Sequence, residues 1–368
     1  MTKNSSKGKA KAGKQPRQDW SALDRRMLHD DASWVYSLAG SAKGDENWEA
    51  PMGLGGLPQF ARIAHEGLEL LKNRHPDRAG AIALRFADDI AAARHTVKLF
   101  DDNQKFYDGV IADFVRIETL HGSRFGADDD LAIVEVDGRL ISTSRIAAFQ
   151  RTLVLDATGK RTQGRGHTYN FGNEIGQLVS VVLMGFGLTK PRSVALELPE
   201  GPHPSAETTS RTDRYSGWFE PEFPLPVKDA LTVVETHVNT ALLLFALSAS
   251  EFPSPLFRTR FITAAHVLNA LEEVQQRNPA LAERQGMSDL SRLLTMPEAE
   301  RIRANGKLRN RCMHYGVPSH LQNLGPNRPG YGLVEATTSP RWSFDQARAD
   351  VLEVLQTASN LFRDWRNP

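Results

Sequence analysis

A cluster of prolines near the middle of the chain is the feature that most constrains its fold. Six of the 20 prolines in the 368 residues fall between Pro199 and Pro226. Proline lacks the amide hydrogen that helix interiors and central strands need, so neither can run through this stretch. We therefore predict a linker over residues 199–226, which separates an N-terminal domain at 20–198 from a C-terminal domain at 227–368.

After the proline cluster the hydrophobic pattern becomes helical. It predicts long helices over about Lys228–Ser250 and Leu256–Arg277, a third from Thr295 to Tyr315, and a last one that begins at Ser343. Four helices of this kind joined by short connections are typical of a helical bundle. The C-terminal domain is therefore predicted to be such a bundle.

Two capping boxes mark helix starts in this domain. Thr295 is followed three residues later by Glu298, and Ser343 by Gln346, which are the spacings that satisfy the first free amides of a helix. Gly316 suits the left-handed position after a helix. These signals predict both ends of the third helix and the start of the last.

The N-terminal domain has a mixed pattern. An irregular stretch that contains Trp34 and the turn Gly53–Gly56 is predicted first, followed by helical spacing from Phe60 to Gly122. The period then changes to that of strands, and Ile133–Ile141 is predicted to form a hairpin around an Asp-Gly turn.

Two further elements complete this domain. Thr152–Leu155 is a candidate strand, and Asn173–Gly187 is apolar enough to be a buried helix. The predicted fold class is mainly α, with an α-rich domain and a small β-hairpin before the bundle.

The charge of the chain is divided unevenly. The first 17 residues hold six lysines and arginines and no acidic residue, which leaves 39 of the 45 basic residues against 44 acidic ones in the remainder. An arm over residues 1–19 with nothing to bury is predicted to be disordered. It either holds nucleic acid loosely through its charge or serves only as a solubilising tail.

The composition excludes several classes of protein. Apolar runs reach only about ten residues, whereas a membrane-spanning helix needs about 20. The single cysteine, Cys312, excludes a disulfide framework and a cysteine-built zinc site within one chain. We expect a cytoplasmic protein with no membrane partner, no cofactor and no bound metal.

The most informative segment is Leu308–Tyr315, which reads Leu-Arg-Asn-Arg-Cys-Met-His-Tyr. It resembles the Arg-Asn-x-x-x-His motif of the HEPN superfamily, helical-bundle proteins that include many metal-independent ribonucleases. Arg309, Asn310 and His314 occupy the motif positions, and Tyr315 is common after the histidine in some branches. The resemblance covers about residues 227–368 and does not extend to the N-terminal region.

A weaker match lies in the N-terminal domain. Arg116 and His121 have the same spacing, but no asparagine follows the arginine. A tandem pair of HEPN units is the alternative that this match leaves open.

The resemblance implies a role for each residue of the C-terminal motif. His314 would move protons while an RNA 2′-oxygen attacks the adjacent phosphorus, and Arg309 would hold the phosphate. Asn310 would orient the histidine or a ribose hydroxyl, whereas Arg311 and Tyr315 are predicted to contact RNA. The reaction needs no metal, and such ribonucleases often act as toxins or in antiviral defence.

Helix geometry adds an expectation about assembly. Asn310 and His314 would share one helix face, whereas Arg309 would lie about 140° away from His314. One bundle therefore offers an incomplete site, and we predict a homodimer in which two copies of this helix bring Arg309 and His314 into one cleft. His314 is expected in the last helical turn, and Cys312 is expected to pack inward.

Other interpretations of the motif stay open. Arg309 can be a solvated helix residue and His314 a helix cap, in which case the domain is a non-catalytic HEPN-like dimerisation or binding module. A coincidental match in an unrelated helical interaction protein is the third possibility. The N-terminal domain would sense, recruit or regulate, and whether a regulatory protein partner exists is left open.

One N-terminal signal is set aside. His65-Glu66 begins like a zinc-protease motif, but Glu69 stands where the second histidine is required. We interpret this segment as the exposed edge of a helix.

Overall fold

The computed structural model describes most of the chain outside the N-terminal arm and the region between the second helix and the hairpin. The predicted basic arm, the candidate strand at 152–155 and the Arg116–His121 match lie outside the described residues. These residues are 21–45, 47–80, 90, 91, 94, 110, 130–143, 145–147, 149, 167–199, 205–318, 321–338 and 342–366.

Four described helices come from the N-terminal half: α1 (Ser21–Ala42), α2 (Glu49–Arg74), α3 (Pro76–Gly80) and α4 (His167–Gly185). Helix α4 confirms the predicted helix at Asn173–Gly187, although only one of its faces is buried and Met184 is exposed. Trp34 lies within α1 and Gly53–Gly56 within α2, so the predicted irregular stretch with a turn is wrong.

The described strands form a small antiparallel sheet. Strands β1 (Asp130–Val136) and β2 (Arg139–Thr143) form the predicted hairpin, in which Asp137 and Gly138 have φ of 54° and 66°. Both angles are positive, as a type I′ turn requires. A third strand, β3 (Ser205–Ser210), pairs with the other edge of β1, which gives the order β2-β1-β3. Sequence reasoning missed β3 because it lies within the proline-rich stretch.

The C-terminal half is helical. Of the four long helices predicted there, the first, the second and the last are confirmed. Together with the hairpin, these elements confirm a mainly helical fold class. Its helices are α5 (Arg211–Ser216), α6 (Leu225–Asn239), α7 (Pro253–Arg277), α8 (Gln285–Leu294), α9 (Pro297–Ala304), α10 (Gly306–Met313), α11 (Leu333–Thr337) and α12 (Phe344–Arg366). A π-helical turn (Thr240–Leu244) and a 3₁₀ turn (Phe245–Ser248) continue α6, and further 3₁₀ turns cover Pro279–Leu281 and Pro329–Gly332.

The third predicted helix is in fact two helices, α9 and α10. Thr295 ends α8 instead of starting a new helix, because its hydroxyl donates to the carbonyl oxygen of Ser291 at 3.0 Å. Glu298 pairs with Arg301. The predicted helix is interrupted at Asn305, whose side-chain amide donates to the carbonyl oxygen of Arg301 at 2.7 Å. The capping box predicted at Thr295 and Glu298 is therefore wrong.

The second predicted cap is confirmed. The hydroxyl of Ser343 accepts a hydrogen bond from the backbone amide of Gln346 at 3.3 Å, at the start of α12. Gly316 has a φ of 87°, so it is left-handed as expected, although α10 already ends at Met313.

Helices from both sides of the prolines share one core. The indole nitrogen of Trp34 in α1 donates to the hydroxyl of Ser248 at 2.7 Å, and its ring packs edge-on against Phe60 and Phe245. Gly55 lets α2 approach the π-helical turn, since a Cβ atom there would lie 2.6 Å from the hydroxyl of Thr240. The division into domains at 199–226 stays a prediction.

Among the described residues, only the helical run Leu225–Ser248 is long and apolar enough to cross a membrane. Most of it is buried inside the fold, as expected for the core helix of a soluble protein. The cytoplasmic location stays a prediction.

Candidate functional site

The predicted motif lies on the short helix α10 and on the residue after it. Arg309 and Asn310 are in the helix, whereas His314 follows its last residue with φ of −110° and ψ of 149°. The backbone amide of His314 donates to the carbonyl oxygen of Asn310 at 3.1 Å. His314 is thus the C-cap of α10, and the expectation that it lies in the last turn and shares a helix face with Asn310 is wrong.

The extended backbone directs His314 toward helix α2. Its Nδ1 atom lies 2.6 Å from Oε2 of Glu66. The carboxylate is buried, with 5% of its side chain exposed, whereas 45% of the imidazole is exposed. Glu66 therefore holds the ring from inside the protein.

The second carboxylate oxygen of Glu66 is also occupied. Arg94 donates to Oε1 through Nε at 3.0 Å and through Nη2 at 2.6 Å, and Nδ1 of His65 lies 3.7 Å from the same oxygen. Burial alone would raise the pKa of Glu66, but the hydrogen bond to His314 and the charge of Arg94 hold it well below its usual range. Glu66 is therefore ionised at neutral pH.

The ionised Glu66 determines which ring nitrogen of His314 carries the proton. The carboxylate can only accept a hydrogen bond, so the proton of a neutral His314 ring lies on Nδ1. Nε2 is then the nitrogen that exchanges protons, and within the described part of the chain it has no hydrogen-bond partner. The pair thus presents an oriented imidazole.

His314 lines a cavity of about 770 Å³, which is within the usual range for sites that bind small molecules. Its walls come from α2, from Arg94 and from the residues after α10. Two arginines, two histidines and two glutamates contribute charged or titratable groups. The lining residues are His65, Glu66, Glu69, Leu70, Asn73, Arg74, Arg94, His314, Tyr315 and Gly316.

Tyr315 lines this cavity with His314, whereas Arg309, Asn310 and Arg311 lie outside it. Arg309 is partly exposed, and its Nε and Nη2 atoms donate to the side-chain oxygen of the exposed Asn310 at 3.3 and 3.0 Å. Arg311 is half-buried on the same helix. Asn310 therefore contacts Arg309, and the side chain that orients His314 is Glu66.

Tyr315 is buried, although it is predicted to contact RNA. Its hydroxyl donates to Oδ2 of Asp31 at 2.5 Å, and the guanidinium of Arg258 lies over its ring at 5.1 Å. Burial raises the pKa of Tyr315 well above its usual range. Cys312 is fully buried as expected, and burial raises the pKa of its thiol to about 12. The RNA contacts of Arg311 and Tyr315 stay predictions.

Sequence reasoning missed Glu66 and Arg94. The interpretation of His65-Glu66 as an exposed helix edge is wrong, because Glu66 points into the protein and meets His314. A glutamate flanked by the apolar residues Ile63, Ala64 and Leu68 was the available signal, since an acid within an apolar stripe needs a partner.

Among the described residues, no group of three or more histidine, cysteine or acidic side chains is placed to hold a metal ion.

Comparisons of the chain with family models, curated proteins and solved structures give no match.

Proposed function

We propose that this chain is a metal-independent endoribonuclease of HEPN type, in which His314 moves protons at the scissile phosphate of RNA. The observation that carries the proposal is the pair of His314 with the buried, ionised Glu66 at the wall of a cavity. An exposed imidazole held by a buried carboxylate is suited to general acid–base catalysis. The motif Arg-Asn-x-x-x-His supplies the link to RNA.

In the proposed reaction, the ribose 2′-oxygen attacks the adjacent phosphorus and the bond from phosphorus to the leaving 5′-oxygen breaks. One imidazole takes the proton of the 2′-hydroxyl, and a protonated imidazole gives a proton to the 5′-oxygen. The products are a 2′,3′-cyclic phosphate and a 5′-hydroxyl. A homodimer would supply two His314 side chains for these two transfers.

Glu66 serves this reaction as a positioning residue. It acts through His314, because it fixes the ring and keeps the proton on Nδ1. It also stabilises the imidazolium that forms when Nε2 takes a proton.

Arg309 is proposed to act across a two-fold axis. It does not line the cavity of its own chain, and the residue is partly exposed on α10. A planar guanidinium can hold a phosphate with two hydrogen bonds and stabilise the charge that develops on it. A second copy of the chain would bring this group to the phosphate that His314 meets.

The alternative is a non-catalytic HEPN-like module that dimerises or binds a ligand. Two observations favour it: Arg309 lies outside the cavity, and both cavity arginines are already paired, Arg94 with Glu66 and Arg74 with Asp24. Under this alternative, the contact between His314 and Glu66 is only structural, and His314 moves no proton.

RNA cleavage in EDTA separates the two functions. Wild type is compared with His314→Ala and with the matched control His29→Ala, whose histidine lies on α1 outside the cavity. The proposal expects cleavage by wild type and the control, 5′-hydroxyl ends, and loss of cleavage in His314→Ala. A 2′-deoxy nucleotide at the cut position should block cleavage. Equal cleavage by His314→Ala would overturn the proposal.

The N-terminal region has a direct part in this proposal. Glu66 and Arg94 both belong to it, so it completes the site in addition to any role in sensing or recruitment. A toxin or antiviral role is implied by the resemblance alone and stays a proposal.

A further inference from the structure

A carboxylate of helix α1 contacts the chain directly after His314. Oδ1 of Asp24 accepts hydrogen bonds from the backbone amides of Gly316 and Val317, each at 3.1 Å. Asp24 is buried, with 2% of its surface exposed. Because one buried side-chain oxygen accepts two backbone hydrogen bonds, this contact fixes the segment against α1.

The other oxygen of Asp24 reaches a second part of the cavity wall. Oδ2 accepts a hydrogen bond from Nη2 of Arg74, at the end of α2, at 3.0 Å. Arg74 and Gly316 both line the cavity with His314. One buried side chain thus ties together two elements that surround the imidazole.

The backbone at Gly316 has an unusual conformation that the hydrogen bonds to Asp24 stabilise. Gly316 has a φ of 87°, in the left-handed region that non-glycine residues rarely adopt. The chain leaves α10 at His314 in an extended conformation and becomes left-handed two residues later at Gly316. Asp24 satisfies the amides exposed by that turn, where no helix or sheet partner is present.

The residues around His314 are anchored to α1 by a second contact as well. Arg258 donates to Oδ2 of Asp31 at 2.6 Å and to the carbonyl oxygen of Cys312 at 2.9 Å. Tyr315 donates to the same oxygen of Asp31. This contact holds the chain on both sides of His314 inside the core, whereas Asp24 holds the turn beside the cavity.

We infer that Asp24 is a positioning residue for His314, because it fixes the turn at Gly316 and Val317 that sets where the imidazole lies beside Glu66. The inference rests on the proposed function for its catalytic consequence. The placement of the imidazole itself can be measured whether or not the chain cleaves RNA.

The experiment uses the full chain with ¹³C-labelled histidine, and the His314 signal is assigned from its loss in His314→Ala. Asp24→Ala removes both acceptor oxygens, whereas Asp24→Asn keeps one neutral acceptor of the same shape. We expect a large shift of the His314 signal and about 10- to 100-fold lower kcat with little change in KM in Asp24→Ala. Asp24→Asn should shift the signal in the same direction by less.

The matched control is Asp30→Ala. Asp30 also lies on α1 and accepts a hydrogen bond from Tyr331, but it does not contact the turn after His314. Its removal should leave the His314 signal in place. An unchanged His314 signal in both Asp24 variants overturns the inference, and if only Asp24→Asn folds, its unchanged signal does so. Absence of cleavage by wild type would instead overturn the proposed function, and the signal would still report on Asp24.

Discussion

Oε2 of Glu66 lies 2.6 Å from Nδ1 of His314, although the two residues are 248 positions apart in the sequence. The pair joins helix α2 of the N-terminal half to the first residue after α10. Because the carboxylate is buried and the imidazole is half-exposed, the ring is held on its inner side and accessible on its outer side. This contact makes the N-terminal half part of the candidate site.

The first prediction concerns the partner of His314. Glu66→Gln removes the charge that fixes the Nδ1 proton and stabilises the imidazolium, so kcat for RNA cleavage should fall about 100-fold. The measurement is the single-turnover rate on a labelled RNA in EDTA. The matched control is Glu49→Gln, which changes an exposed glutamate of the same helix and should cleave at the wild-type rate. A wild-type rate in Glu66→Gln would show that the pair is only structural.

A second prediction tests the close approach of α2 to the π-helical turn. Gly55→Ala places a Cβ atom 2.6 Å from the hydroxyl of Thr240, so we expect a loss of about 1–3 kcal/mol in the free energy of unfolding. Gly53→Ala in the same helix meets nothing within 4 Å and should stabilise by up to about 1 kcal/mol. Urea denaturation measures both. Equal effects of the two substitutions would contradict this packing.

Features that depend on neighbouring residues could be predicted from the sequence. The Asp-Gly turn of the hairpin, the cap at Ser343 and the left-handed Gly316 each follow from the conformational preferences of one to four residues. The break between α9 and α10 also had a local signal in Asn305-Gly306, a dipeptide that is typical of turns.

Features that depend on distant residues could not be predicted in this way. No local pattern connects Glu66 with His314 or Asp24 with Val317, because each pair is brought together only by the packing of α1 and α2 against the C-terminal helices. The strand β3, which was missed because it lies within the proline-rich stretch, also depends on a distant partner. Its six residues gain their stability from pairing with β1, which lies about 70 residues earlier in the chain.

A third prediction concerns a buried acid in α6. Burial raises the pKa of Glu235 from 4.5 to about 7, even though Nε of Arg366 lies 3.2 Å from Oε1. Since the folded state binds this proton more tightly than the unfolded state, the free energy of unfolding should fall as the pH rises from about 4.5 to 7. The loss in the free energy of unfolding is on the order of 3 kcal/mol, and it is complete above pH 7.

The check is urea denaturation between pH 5 and 8 for wild type and Glu235→Gln. The glutamine does not titrate, so this part of the pH dependence should disappear whatever the absolute stability of the variant. Glu300→Gln changes an exposed glutamate on α9 and should keep the wild-type slope. The same slope in Glu235→Gln and wild type would assign the pH dependence to another group.

The last prediction tests whether the site is shared between two copies of the chain. Arg309 does not line the cavity that contains His314 of the same chain, so a shared cleft requires a second copy. Arg309→Ala and His314→Ala should each lose cleavage when measured alone.

When the two variants are mixed and allowed to exchange subunits, each mixed dimer holds one intact Arg309 and one intact His314. Partial recovery of cleavage is then expected, in proportion to the fraction of mixed dimers and at a rate below that of wild type, because one His314 moves one proton and water serves the other transfer. Recovery should be absent when Arg309→Ala is mixed with an Arg309→Ala, His314→Ala double variant, because no intact arginine is then present. A mixture as inactive as its components, with subunit exchange verified by mass spectrometry, would show that the cleft is not shared.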